Sequence, residues 1–155
     1  MSEITNKLEK VALVTSFPLW LVQRWSQQYG YETTKRMCEE SLKPPSVTMR
    51  VNRLKATVEE AIELLSAEGI KAEAGSLAED ALTIDSGQVF ESQAYKSGLV
   101  TAQDQSSMLV ARALGPAPEQ QVLDACAAPG GKSTHLAELM ENRGALLSSI
   151  CMPIK

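Results

Sequence analysis

The sequence predicts an α/β protein built in three successive parts. Residues 1–45 read as a helical lead-in, residues 46–103 as a small α/β plait, and residues 104–155 as the first strand–helix–strand of a larger sheet. Three observations carry this. Helix-period apolar stripes fill the chain up to Pro44 and Pro45. A strand–helix–strand–strand order follows the two prolines. Then an apolar run ends in an acid, spills into a glycine turn and leads to a helix and a second strand-like run.

Residues 4–14 are predicted as the first helix, with Ile4, Leu8, Val11 and Ala12 on one face. Pro18 opens a second, with Leu19, Val22 and Trp25 inward and Gly30 at its end. Residues 32–42 form a third, stopped by the proline pair. Trp20 and Trp25 are expected to pack in this core rather than form a ligand platform. Cys38, beside Met37 and near Leu42, is expected to be a small buried residue.

"VTMRVN", residues 47–52, alternates like a half-buried strand. Residues 57–69 read as a helix. Thr57 and Glu60 have capping-box spacing, Val58, Ala61, Ile62 and Leu65 make the stripe, and Gly69 is the stop. Residues 70–74 and 81–84 are expected strands, which gives a plait of the RRM-like kind used by many RNA-binding modules. Residues 98–102 are a further extended run. Asp104 caps a helix reaching about Leu114, residues 121–125 are a strand, 132–141 a helix with Leu136, Leu139 and Met140 inward, and 145–150 a second strand.

Composition bounds the function. Of 155 residues, 44% are apolar and 22% charged, enough for a core and ordinary for a globular chain. No apolar run approaches the roughly 18 residues of a membrane span, and the polar N-terminus has no signal-like segment. The three cysteines, Cys38, Cys126 and Cys151, have neither metal-ligand spacing nor a disulfide pattern. A reducing cytoplasm, no membrane and no metal are therefore expected. The net charge of −4 argues against a generic polyanion binder but leaves room for a local basic face.

The stretch "VLDACAAPGGKST" holds the chemistry. Gly131-Lys132-Ser133 matches the end of a phosphate-binding loop, but the required first glycine is Cys126, and Pro129 has no N–H to donate. The dinucleotide fingerprint fails too, with only Gly130 and Gly131 present. What remains is a strand ending at Asp124, a turn of small residues that lets a ligand approach the backbone, and a helix N-terminus at Lys132 that favours a carboxylate. A ligand with a carboxylate and a sulfonium, S-adenosylmethionine, fits such a corner. A bare strand-to-helix turn in an α/β core fits it as well.

"VLDACAAPGGKSTHLAELM" closely resembles the cofactor loop of the Sun-type RNA cytosine-5 methyltransferases, and "FPLWLVQRWSQQYG", "VTMRVNRLKAT" and "GLVTAQDQSSMLVARAL" match that family's order and spacing. The resemblance implies a Rossmann-like methyltransferase domain, of which residues 104–155 are the truncated start. It implies S-adenosylmethionine held by Cys126, Ala127, Ala128, Pro129, Gly130, Gly131 and Lys132, with Asp124 behind them. It also implies that the plait helps to hold small-subunit ribosomal RNA, which places Arg50, Asn52, Arg53 and Lys55 near the phosphate backbone. The reaction implied is methyl transfer to C5 of a cytosine in 16S ribosomal RNA.

The sequence also departs from the family. The additional N-terminal helical RNA-binding domain is not in these residues. The acid expected to end the second strand and hold the cofactor ribose falls at about Ile150, and "LLSSICMPIK" has none. The family's nucleophilic cysteine, in a Pro-Cys or Thr-Cys context, attacks C6 of the base; none of the three cysteines has that context. The chain is therefore expected to be a fragment of such an enzyme, inactive alone, or else a non-catalytic RNA-binding remnant.

Overall fold

The structure is a computed structural model and describes residues 6–149. Ile4, Ile150 and Cys151 lie outside the described residues. The chain divides into two compact units, residues 1–45 and 46–155.

In the first unit, α1 (Lys7–Thr15), α2 (Leu19–Tyr29) and α3 (Tyr31–Glu40) follow the predicted order. Asn6 caps α1 by accepting from the Leu8 N–H at 3.0 Å. Val11, Ala12, Val22 and Cys38 form the core, with Leu8, Phe17, Leu19, Trp25 and Tyr31 packed against it. Trp25 lies 5.5 Å from Phe17 between ring centroids. Trp20 corrects the sequence expectation: it is 62% exposed, one residue off the inward stripe of Leu19 and Val22.

The second unit opens with a four-stranded antiparallel sheet in the order β2-β3-β1-β4, where β1 is Val47–Val51, β2 Lys71–Ala74, β3 Ala81–Ser86 and β4 Val100–Ala102. α4 (Val58–Ala67) makes the first crossover. Its capping box forms as the spacing requires: Thr57 Oγ1 accepts from the Glu60 N–H at 3.2 Å and Glu60 Oε2 from the Thr57 N–H at 2.7 Å. Gly69, at φ +77°, ends the helix where a side chain would be strained. The second crossover is a 3₁₀ turn (Val89–Glu91) and the one-turn α5 (Gln93–Lys96). Helix periodicity cannot register so short an element. The result is a βαββαβ split plait.

Strand alternation sends β1 side chains to two different cores. Met49 and Val51 point to α4 and α5 and join Leu65, Leu82, Val89 and Val100 in the main cluster. Thr48 and Arg50 take the other face. That face is covered as well. Met108 of α6 (Gln105–Leu114) packs on Ala78 and Ala81. α7 (Gly131–Leu139) follows β5 (Gln121–Asp124), and β6 (Ala145–Ser148) pairs with β5 in parallel, Val122 opposite Leu146. Among the described residues β5 has no other strand neighbour.

Candidate functional site

β5 delivers Asp124 to the mouth of the glycine turn, and its carboxylate ties the turn together at both ends. Oδ1 accepts from the Cys126 N–H at 3.2 Å, and Oδ2 accepts from the Ser133 hydroxyl at 2.6 Å. The Ala127 N–H donates to the Ser149 carbonyl at 3.0 Å, and the Ser149 N–H to the Asp124 carbonyl at 2.8 Å, so the turn is also stitched to the strand beside it. Gly130, at φ +107°, turns the chain into α7. No side chain caps α7, so its first N–H groups remain available to a ligand.

That end opens on a cleft of about 190 Å³. One wall is Cys126, Ala127, Ala128, Pro129, Gly131 and Lys132, six of the seven predicted residues; Gly130 is not in the lining. The opposite wall, missed in the sequence, is Ala102, Gln103, Asp104 and Ser107, from the end of the plait and the start of α6. Hydrogen bonds from Ser106 hold the Asp104 carboxyl below the usual carboxylate range, so the lip is anionic at neutral pH. A Cβ placed on Gly131 would meet nothing closer than Gln103 Cδ at 3.9 Å, so the space beside it is open. The Gln103 side-chain nitrogen is buried without a partner, since Gln103 Oε1 accepts from Arg50 and thereby fixes the amide's orientation. A cleft of this size is below the 300–1,000 Å³ of ordinary ligand pockets and admits one end of a large cofactor. A larger groove of about 590 Å³ lies beside β5, lined by Val110, Leu114, Leu123 and Leu136 among others. Asp124, Cys126 and Lys132 of the turn line it as well, so the turn borders both spaces.

The plait residues divide. Arg50, expected at the RNA backbone, is 1% exposed, and its guanidinium is fully engaged inside the protein. It donates to Glu138 at 2.7 and 3.2 Å, to the Gly131 carbonyl at 2.8 Å and to the Thr134 hydroxyl at 3.1 Å, as well as to Gln103. The expectation failed because it took the second face of β1 to be wet, whereas α6 and α7 cover it. Asn52 turns its side chain inward to the local backbone: its Oδ1 accepts from the Leu54 N–H at 3.0 Å. Arg53 and Lys55 are exposed. Arg53 Nε lies 4.0 Å from Asp80, and the Lys55 ammonium donates to the Ser97 carbonyl at 2.5 Å.

A second buried network escaped the sequence reading. Asp80, 1% exposed, receives Arg112 at 2.7 and 3.2 Å and faces His135 Nε2 at 3.1 Å. Burial pushes the Asp80 carboxyl up, but hydrogen bonds from His135 and Arg112, together with their charges, outweigh it and hold the group below the usual carboxylate value. The two networks join β1 and the approach to β3 to α6 and α7, so the plait and the glycine turn are one structure. Among the described residues no three His, Cys, Asp or Glu side chains form a metal-holding group, and no helix is long and apolar enough to cross a membrane. Cys126 is exposed in the turn and Cys38 is buried in the helical unit.

Residues 17–91 match the family model described as the RsmF/B-like methyltransferase ferredoxin-like domain, and residues 111–149 match that of the 16S rRNA methyltransferase RsmB/F. The chain is similar to the probable ribosomal RNA small subunit methyltransferase B of Bacillus subtilis, with 48% identity over 94% of this chain and 32% of that protein. It is also similar to the ribosomal RNA small subunit methyltransferase B of Xylella fastidiosa, with 38% identity over 86% of this chain and 32% of that protein. It thus spans about a third of the curated relatives it matches. Among solved structures, PH0851 superposes with a TM-score of 0.84 at 33% identity, over 96% of this chain and 34% of that one. NSun6 from Pyrococcus horikoshii with SFG superposes at 0.77 and 18% identity, over 84% and 58%, a likeness of fold.

Proposed function

On the premise that this chain belongs to the RsmB/F family of 16S rRNA methyltransferases, we propose that its cleft holds the amino-acid end of S-adenosylmethionine. In this reading the chain serves methyl transfer to C5 of a cytosine in small-subunit ribosomal RNA. One observation carries the reading: the uncapped N-terminus of α7 opens on a cleft lined by small residues and by an anionic lip. The α7 N–H groups suit a carboxylate, Asp104 suits an ammonium, and Gly131 leaves the space that a bound ligand needs. Asp124 holds the turn in that shape. S-adenosylmethionine, when bound, supplies an electrophilic methyl group on its sulfonium.

In this reading the described residues bind and orient; neither Cys38 nor Cys126 serves to attack the base. Cys126 belongs to the cleft wall and Cys38 to a core. RNA contact by the plait rests on Arg53 and Lys55, which are exposed, and no longer on Arg50.

Calorimetric titration of the chain with S-adenosylmethionine and with ATP tests the reading. Selective heat from S-adenosylmethionine, lost in Gly131→Ala at an unchanged melting temperature, is the expected result. Because the protein itself accommodates a Cβ at residue 131, such a loss reports ligand space. Equal response to ATP, or an undiminished response in Gly131→Ala, would remove the assignment.

A further inference from the structure

We propose that the outward face of α2, formed by Trp20, Gln23, Arg24 and Gln27, is a docking surface for single-stranded RNA. These four residues fall at i, i+3, i+4 and i+7 and share one side of the helix. All four are exposed, Trp20 at 62%, while Val22 and Trp25 face the core of the helical unit. α2 contains no acidic residue. Among the described residues no carboxylate lies within 4.0 Å of Arg24, whereas Lys35 and Lys43 in the same unit pair locally with Glu39 and Glu40 at 3.7 and 2.7 Å. The charge balance separates the two units in the same sense. Residues 1–45 carry six Lys and Arg against five Asp and Glu, and the rest of the chain nine against fourteen.

The pattern discriminates between partners. A helix that docks in a protein groove presents apolar anchors at successive turns. Here only the first position is apolar, and the next three are amide, guanidinium and amide. Indole offers a face on which any base can stack, Arg24 a charge for phosphate, and the two amides donors and acceptors for base edges. Stacking requires a base free of its own helix, which selects single strands over duplex. This surface extends the RNA-substrate reading but rests on the chemistry of α2, not on the cofactor cleft, so S-adenosylmethionine titration does not decide it.

The test is fluorescence anisotropy with the full chain, a labelled mixed-sequence single-stranded RNA 12-mer and its duplex. Trp20→Ala is expected to weaken single-strand binding about tenfold, and Trp20→Phe to retain most of it. Arg24→Ala is expected to lower the steepness of the log affinity against log salt plot by about 0.7. In a Trp25→Phe background the remaining Trp20 emission should be quenched by the single strand. Absence of single-strand binding by the wild-type chain overturns the proposal. So does an affinity unchanged in both Trp20→Ala and Arg24→Ala. If Trp20→Ala instead dissolves an oligomer seen by sedimentation and leaves RNA binding intact, the face is a protein contact and the proposal fails.

Discussion

Replacing Arg50 by Met tests the physical link between the plait and the cofactor turn. The substitution keeps an unbranched apolar stem and removes the guanidinium. Glu138, whose side chain is 9% exposed, would then be a buried carboxylate without its partner. The Gly131 carbonyl, the Thr134 hydroxyl and Gln103 Oε1 would each lose a donor. Breaking a buried pair by removing one side costs about 3–5 kcal/mol. With a urea dependence of about 2 kcal/mol/M, a loss of about 4 kcal/mol lowers the midpoint by about 2 M. Far-UV circular dichroism is the right probe, because both tryptophans lie in residues 1–45, outside the unit that contains β1 and α7. The double variant Arg50→Met/Glu138→Leu removes both charges and should recover at least half of the loss. A single variant that loses less than about 1 kcal/mol, or a double variant no more stable than the single, would show that the pair does not hold α7 to β1.

Further outcomes follow from the same geometry. Asp80 has a depressed pKa in the fold, so its stabilisation is present above the unfolded value near 3.8 and is lost as pH falls through the folded value. The urea midpoint of the wild type should therefore drop more steeply below about pH 4 than that of Asp80→Asn, and parallel acid profiles would refute the assignment. Asp124→Ala removes two charge-assisted hydrogen bonds from the turn and should cost about 2 kcal/mol, with faster hydrogen exchange at Cys126. The chain alone should transfer no tritiated methyl from S-adenosylmethionine to unmodified small-subunit RNA, because none of its cysteines has the family's nucleophile context. Turnover abolished by Cys126→Ala would reverse that expectation.

The local elements were legible because their causes are local. A capping box, a proline and a glycine stop act within a few residues, and α4 appears where Thr57, Glu60 and Gly69 put it. The glycine turn was legible for the same reason. The opposite wall of its cleft was not, since Gln103 and Ser107 reach it only through the packing of α6 and β4 near α7. Arg50 shows the limit most clearly. Alternation along "VTMRVN" correctly separates Met49 and Val51 from Arg50. It carries no information on whether the far side of the sheet meets water or helices. His135 and Asp80, 55 positions apart, give no sequence signal of meeting. Trp20 was misassigned because a tryptophan in an amphipathic helix was expected inside, although its position falls off the stripe.

The two buried networks also set the terms on which these modules can be exchanged. Strand β1 and the approach to β3 supply Arg50 and Asp80, while α7 supplies Glu138 and His135 as their partners. A chimera that grafts the glycine turn and its helix onto a different RNA-reading scaffold would import a carboxylate and an imidazole into an interior that no longer answers them. Grafts that carry Arg50 and Asp80 along with α7 keep the match. Recombination between relatives is therefore better tolerated at the boundary before Ser46, where one compact unit ends, than at the loop between β4 and α6, where the sequence alone places a seam.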